Sequence, residues 1–189
     1  QHALLNQDDS TGITTFLIEP KVDTGKIIDQ YKVEILEDDN YGSLSKKLSE
    51  AGASLIDSSI NKCLNHSSEL IKQDNSKATL APKISKDDLK INWNDNSDII
   101  LAKVKAFSPT PGAFTTINNK RLKIYKAQSI NNDNEHQIGS VYNVDKNFFD
   151  VQCGHNALRL YYVQLEGKKA MDSKDFILGY QDLDLSSLK

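Results

Sequence analysis

Asp8-Asp-Ser-Thr-Gly-Ile-Thr-Thr-Phe-Leu-Ile-Glu-Pro-Lys-Val-Asp-Thr-Gly-Lys-Ile-Ile28 decides how the rest of the chain is read. Gly12–Glu19 is rich in β-branched and aromatic residues, the composition of a mostly buried strand. Pro20 has no amide to give a ladder, and Lys21–Gly25 carries the Thr-Gly pair on which the chain reverses. Lys26–Ile35 supplies a second strand, with Ile27, Ile28, Tyr31, Val33 and Ile35 as its apolar positions. Asp23 lies in the turn, where a carboxylate can be held at the rim of a sheet. On spacing alone an Asp there is a turn-former.

Beyond the acidic loop Glu37-Asp-Asp-Asn40 comes an amphipathic helix with Ser43 as its expected N-cap. Leu44, Leu48, Ala51, Leu55, Ile60 and Leu64 form its apolar stripe, widened by Ala53 and Ile56. Gly52 inside it costs about 1 kcal/mol relative to Ala, which points to a close approach by another element. Strand, turn, strand and long helix fit the end of an α/β domain. Asp74-Asn-Ser-Lys77 is a polar break, and Pro82 favours an extended chain just before it. The expected division is therefore residues 1–75, a linker over 76–86, and a second domain over 87–189.

The second domain opens with Asp87–Trp93 and a helix over Ser97–Phe107, capped by Ser97, that ends at Ser108-Pro-Thr-Pro-Gly112. Short strands follow at 113–117, 122–127, 139–143, 148–153 and 158–165, separated by turn signals, and a last helix spans 173–178. Five short strands at that spacing predict a small antiparallel barrel of the oligonucleotide-binding type. Trp93 is expected in the core rather than stacked on a base.

The net charge is −3, but its distribution is uneven. Residues 1–75 hold 7 Lys/Arg against 13 Asp/Glu, whereas residues 76–131 hold 10 against 4. A change of sign along the chain points to two units with different partners. Cys63 and Cys153 have no Cys-x-x-Cys or Cys/His spacing, so neither a zinc site nor a disulfide framework is expected. His66, His136 and His155 are isolated in polar surroundings and read as surface residues. No apolar run is long enough to span a bilayer, and no signal peptide is visible after Gln1.

Several blocks, in order and over nearly the whole chain, resemble the methionyl-tRNA formyltransferase family. They are Ser10-Thr-Gly-Ile-Thr14, Val22-Asp-Thr-Gly25, Ala78-Thr-Leu-Ala-Pro-Lys-Ile84, Ile91-Asn-Trp93, Ala106-Phe-Ser-Pro-Thr-Pro-Gly-Ala-Phe114, Leu122-Lys-Ile124, Gly167-Lys-Lys-Ala-Met171 and Asp175-Phe-Ile177. Thr110 stands where a Trp is common in the family, and Asn92 where an Asp is frequent.

The resemblance implies the tail of a Rossmann-like α/β catalytic domain followed by a small all-β oligonucleotide-binding-like barrel. It implies formyl transfer from 10-formyltetrahydrofolate to the α-amino group of initiator methionyl-tRNA in translation initiation, by a monomeric, bacterial-type enzyme without a metal, placed in the cytoplasm with an organelle matrix as the alternative. The family's catalytic Asn, His and Asp are represented here by the Asp alone, at Asp23; His2 is not that histidine. These 189 residues by themselves are accordingly expected to be inactive. Thr11, Gly12, Thr14, Glu19, Pro20 and Val22 are expected to line the folate pocket. Lys83 and Lys86 at the linker, Lys103, Arg121 and Lys123, and Lys168 and Lys169 are expected to contact tRNA phosphates; Lys105 and Lys126 lie in the same cluster. Two alternatives stand beside this reading: a non-catalytic tRNA-binding remnant, and a sugar-nucleotide formyltransferase relative sharing the Pro-Gly-Ala-Phe corner.

Overall fold

The computed structural model describes residues 1–65, 69–132, 136–180 and 188–189, so His66 lies outside the described residues. In chain order the elements are α1 (His2–Leu5), β1 (Ser10–Phe16), β2 (Ile27–Glu34), α2 (Tyr41–Leu64), α3 (Ser97–Phe107), β3 (Ala113–Ile117), β4 (Lys120–Ile130), β5 (Val141–Val144), β6 (Phe149–Gln152), β7 (Ala157–Leu165), β8 (Met171–Asp172) and α4 (Ser173–Gly179). They form two compact units, Asp8–Lys83 and Ile84–Lys189, the latter including Gln1–Gln7. Residues 1–7, expected with the N-terminal domain, belong to the second unit because α1 packs on α3 and buries Leu4.

In the first unit β1 and β2 pair antiparallel, Ser10 opposite Glu34 and Thr14 opposite Gln30, with a register shift at Thr15/Phe16. Helix α2 lies on this hairpin and buries Leu44 and Leu55. Thr15 Oγ1 and Ser59 Oγ are 2.6 Å apart, and Lys62 Nζ donates to Asp29 Oδ2 at 2.5 Å. Two corrections to the sequence expectation follow. The N-cap is Asn40, and Ser43 is its N3 partner: the Ser43 amide donates to Asn40 Oδ1 at 3.1 Å and the Asn40 amide to Ser43 Oγ at 3.0 Å. Ile56, Ile60 and Leu64 are 52%, 52% and 71% exposed, since a sheet two strands wide covers only a narrow stripe of a helix. At Gly52 a Cβ would sit 3.4 Å from Ile13 Cδ1, ordinary contact that does not demand glycine.

In the second unit six antiparallel strands run β3-β4-β7-β6-β5, with β8 on the other part of β7. Alternation puts Leu122, Ile124, Leu158, Leu160, Val163 and Leu165 inside, with Ile100, Val104 and Phe107 of α3 and Phe176 of α4. Trp93 is buried as expected, its Nε1 donating to Thr115 Oγ1 at 3.0 Å. The α3 cap is Asn96, one residue before the expected Ser97, because the Asn96 carboxamide accepts the Asp98 amide at 3.1 Å. Leu188 and Lys189 lie between the outer strands: Lys189 exchanges backbone hydrogen bonds with Thr116 at 2.8 and 3.0 Å, and the Leu188 amide donates to Gly139 O at 2.7 Å. On the sheet's outer face Asp150 holds Arg159 bidentately at 2.8 and 2.9 Å, with the guanidinium 3.7 Å from the Phe148 ring.

The first unit carries an acid-sensitive latch. Burial would raise the Asp39 carboxyl, but Lys47 Nζ at 2.6 Å, the Leu36 amide at 2.9 Å and the Ser43 hydroxyl at 2.7 Å outweigh it and hold it below the usual carboxylate range. A depressed folded-state pKa stabilises above the unfolded value, about 3.9, and that stability disappears as pH falls through the folded value. Urea unfolding should therefore show a falling midpoint as pH drops below about 4. Asp39→Asn should cost about 1–3 kcal/mol near neutrality and flatten the acid limb; a wild-type midpoint at pH 7 would contradict this.

Candidate functional site

The link between β1 and β2 reverses over residues 17–26. The Leu17 amide donates to Lys26 O at 2.9 Å, and Thr24 Oγ1 donates to Lys21 O at 2.9 Å. Asp23 takes φ +55, the left-handed region that Asp tolerates better than most side chains. Gly25 is buried and passes so close to the opposite strand that a Cβ would lie 1.6 Å from Leu17 O. Asp23 itself is exposed, and its carboxylate has no hydrogen-bond or ion-pair partner among the described residues. Val22, its neighbour in the chain, and Ile18 in the same link are 82% and 96% exposed.

The residues expected to line a folate pocket fall on this hairpin. Gly12 and Thr14 are exposed and Thr11 half-buried on β1, while Glu19, Pro20 and Val22 are exposed in the link to β2. A separate cavity of about 530 Å³ in the same unit is lined by Tyr31, Val33, Lys47 and Ser54 among others and does not include Asp23. Gln73, which sequence reasoning passed over, donates its side-chain amide to Asp23 O at 3.0 Å and Gly25 O at 2.7 Å. Nothing local marks it: it sits in a polar tract without periodicity, and its partners are 50 and 48 residues away.

The expected tRNA contacts divide. Lys83 and Lys86 are exposed, one in each unit. Lys103 is half-buried, donates to Lys90 O at 2.9 Å and lines a groove of about 730 Å³ with Asp87, Lys90 and Trp93. Arg121 and Lys123 instead line a cavity of about 180 Å³ with Gln164, Glu166 and Gly167. Gln164 Nε2 donates to Lys168 O at 2.8 Å, which brings the exposed Lys168-Lys169 turn to the same end of the β4–β7 pair. Lys123 Nζ donates to Pro111 O at 2.8 Å, and the Arg121 guanidinium lies 4.8 Å from the Phe114 ring. Tyr125, bonded through its hydroxyl to Gln164 at 2.7 Å, adds a second aromatic beside these cations. Phe114 enters the sequence analysis only as part of a shared corner and Tyr125 not at all; only strand parity could have placed them with Arg121 and Lys123.

Lys126 is exposed opposite Tyr162, and Lys105 is half-buried on α3. His136 and His155 are exposed, His136 stacking on Tyr142 at 4.1 Å. Cys63 and Cys153 are both free thiols, and burial pushes that of Cys153 up to about 12. Among the described residues no group of three or more His, Cys, Asp or Glu side chains could hold a metal ion, and no helix is long and apolar enough to cross a membrane.

Two family models match: formyl transferase over residues 1–60 and formyl transferase, C-terminal domain, over residues 83–181. The chain is 34% identical over 179 residues to methionyl-tRNA formyltransferase of Bacillus licheniformis, 94% of this chain and 57% of that protein. It thus spans little more than half the length of such relatives. Among solved structures, a HypX variant from Aquifex aeolicus superposes with a TM-score of 0.73 at 13% identity, over 98% of this chain and 33% of that one, a likeness of fold. WlaRD, a sugar 3N-formyl transferase crystallised in the presence of dTDP and 5-N-formyl-THF, superposes at 0.63 with 26% identity, over 89% of this chain and 59% of that one.

The tight crossing at Gly25 is testable by itself. Gly25→Ala forces Leu17 and Lys26 apart and should lower stability by about 2–4 kcal/mol, read from the urea midpoint. Gly179→Ala, where a Cβ meets nothing within 4 Å, is the control. Equal midpoints for the two variants would contradict the crossing.

Proposed function

The chain belongs to the formyl transferase family, and from that premise we propose that it carries the later part of the catalytic domain and the RNA-holding domain of a methionyl-tRNA formyltransferase. The reaction moves formyl from 10-formyltetrahydrofolate to the α-amino group of methionyl initiator tRNA, at the start of protein synthesis in a cytoplasmic, bacterial-type setting. The carrying observation is the 34% identity, across 94% of the chain, to a protein of that name. The 26% identity to a sugar 3N-formyl transferase supports the second reading, a sugar-nucleotide amine as acceptor, less strongly. The solved relative crystallised with 5-N-formyl-THF supports a folate as donor.

The first unit is read as the tail of a Rossmann-like domain, and the second as an oligonucleotide-binding-like barrel. The position of Leu188 and Lys189 between Thr116 and Gly139 supports closure of that sheet. The exposed Val22, next to Asp23 in the chain, and Ile18 in the same link offer apolar surface for the flat ring of a folate.

Attack of the amine on the formyl carbonyl builds negative charge on oxygen and positive charge on nitrogen. Collapse of that intermediate breaks the bond from the formyl carbon to N10, and the proton lost by the amine is matched by one gained at N10 of the departing tetrahydrofolate. The oxygen needs hydrogen-bond donors held in place beforehand. A carboxylate accepts, so the role of Asp23 is on the other side: it orients an imidazole and helps the amine lose its proton. The family's Asn and His would supply the donors. Without them the 189 residues hold one member of the catalytic group, so alone they should not transfer formyl.

The Arg121, Lys123, Lys168 and Lys169 surface is the RNA-holding surface in this reading, because Arg121 and Lys123 share one face of β4 with Phe114 and Tyr125 close by, and the exposed Lys168-Lys169 turn is tied to the neighbouring Gln164. A phosphate-binding surface of this kind supports binding of folded RNA without reading its sequence.

Mixing the chain with the upstream half-domain of the Bacillus licheniformis relative should restore formylation of methionyl-tRNA, and Asp23→Asn should lower turnover by roughly 10²- to 10⁴-fold. Full activity of the 189 residues alone would overturn the assignment of roles. Retained tRNA binding with no recoverable transfer would select the non-catalytic remnant instead. In a separate titration, tRNA affinity should fall steeply with salt, and Arg121→Ala with Lys123→Ala and Lys168→Ala should reduce the log–log slope by about 2–3. A slope unchanged by the triple substitution would remove these cations from the RNA surface.

A further inference from the structure

Residues 70–73 run beside the Asp23 turn. Ile27 and Ile71 exchange a pair of backbone hydrogen bonds at 2.8 and 3.0 Å, which fixes this segment alongside the start of β2. Two residues on, the half-buried Gln73 side chain spans the turn, donating to Asp23 O and Gly25 O, the carbonyls on either side of Thr24. Both partners are acceptors, so only the amide nitrogen can serve them, and its two hydrogens match two carbonyls. Among the described residues no backbone amide donates to either carbonyl. Gly25 is buried, and its carbonyl would otherwise lose its hydrogen bond to water without replacement.

The Asp23 carboxylate, by contrast, has no partner of its own among the described residues. Only the backbone that carries it therefore places it, and that backbone is in the left-handed region. We propose that Gln73 is a positioning residue: its amide clamps the turn from both sides and thereby aims the Asp23 carboxylate, without touching substrate. This rests on the reading of Asp23 as the reaction's carboxylate. Gln73 is a side chain chosen for two donors at one point. Glu has the same length and no donor when ionised; Asn has the donors and is one methylene short.

The test uses the isotopically labelled 189-residue chain with Gln73→Ala, Gln73→Glu and Gln73→Asn. In wild type, couplings across the hydrogen bonds should connect the Gln73 side-chain nitrogen to the carbonyl carbons of Asp23 and Gly25. In Gln73→Ala, the Leu17 amide, which donates to Lys26 O across the turn, should exchange about tenfold faster or more, while the protection of Ile27 and Ile71 is kept. Gln73→Glu should be at least as loose at pH 7, because a carboxylate then faces two carbonyl oxygens, and protonating it returns a single donor for two carbonyls, so protection should be regained only in part. Gln73→Asn should resemble Gln73→Ala.

Function is read in the enzyme completed with the relative's upstream half-domain, with Asp23→Asn in parallel. Gln73→Ala should lower kcat about tenfold or more while tRNA affinity stays at the wild-type value. An unchanged exchange pattern in Gln73→Ala overturns the clamp. So does wild-type kcat in Gln73→Ala when Asp23→Asn silences transfer. If Asp23→Asn leaves transfer intact, the functional reading of Asp23 fails, and the positioning role falls with it even though the turn has loosened.

Discussion

Gly25 crosses Leu17 with no room for a single Cβ, and the first unit is organised around that crossing. To bring two strands that close, the chain needs a glycine at one position and a left-handed residue two before it, and Asp23 is that residue. A turn of this kind is not stabilised by its own sequence alone. It is tied by Leu17 to Lys26, by Thr24 to Lys21, and from a distance by Gln73. The outcome is an exposed carboxylate on a backbone that has little freedom to move it.

The second unit solves a different problem. It presents cations on a sheet that also packs a core, and strand parity separates the two tasks. Leu122, Ile124 and Leu165 point in, and Arg121, Lys123 and Gln164 point out. Not every outward cation is available to a polyanion. Arg159 is bound to Asp150 through two nitrogens, and the carboxylate raises an already high guanidinium pKa further. Arg121 has a ring and, among the described residues, no carboxylate partner at its guanidinium, and Lys168 and Lys169 stand in a turn. Charge distribution along a sequence thus overcounts, because it does not show which cations are already neutralised.

Much of the fold was legible where a local rule decides. The strands around Asp23, the helix 97–107 and the strand at 113–117 follow from alternation, turn residues and helical spacing. The caps were displaced by one to three residues, Asn40 for Ser43 and Asn96 for Ser97, because neighbouring polar residues compete and the winner depends on the hydrogen bonds the preceding loop can make. The C-terminal part of the α2 stripe misled, since Ile56, Ile60 and Leu64 keep a helical spacing without a sheet wide enough to cover them. Short β8 was missed because two residues carry no period. At the candidate site, Asp23 came from its turn motif and a resemblance, whereas Gln73 and the Phe114–Arg121 contact join residues remote in sequence that no local pattern links.

The central claim is that the Asp23 turn faces the formyl donor. Its most direct measurement is chemical-shift mapping of the labelled chain, completed with the upstream half-domain of its relative, on addition of 5-formyltetrahydrofolate. The account predicts that the Asp23 carboxyl carbon and the amides of residues 18–25 shift together while Lys123 and Lys168 stay in place. Shifts confined to the Tyr31–Ser58 cavity, with the Asp23 turn silent, would contradict it.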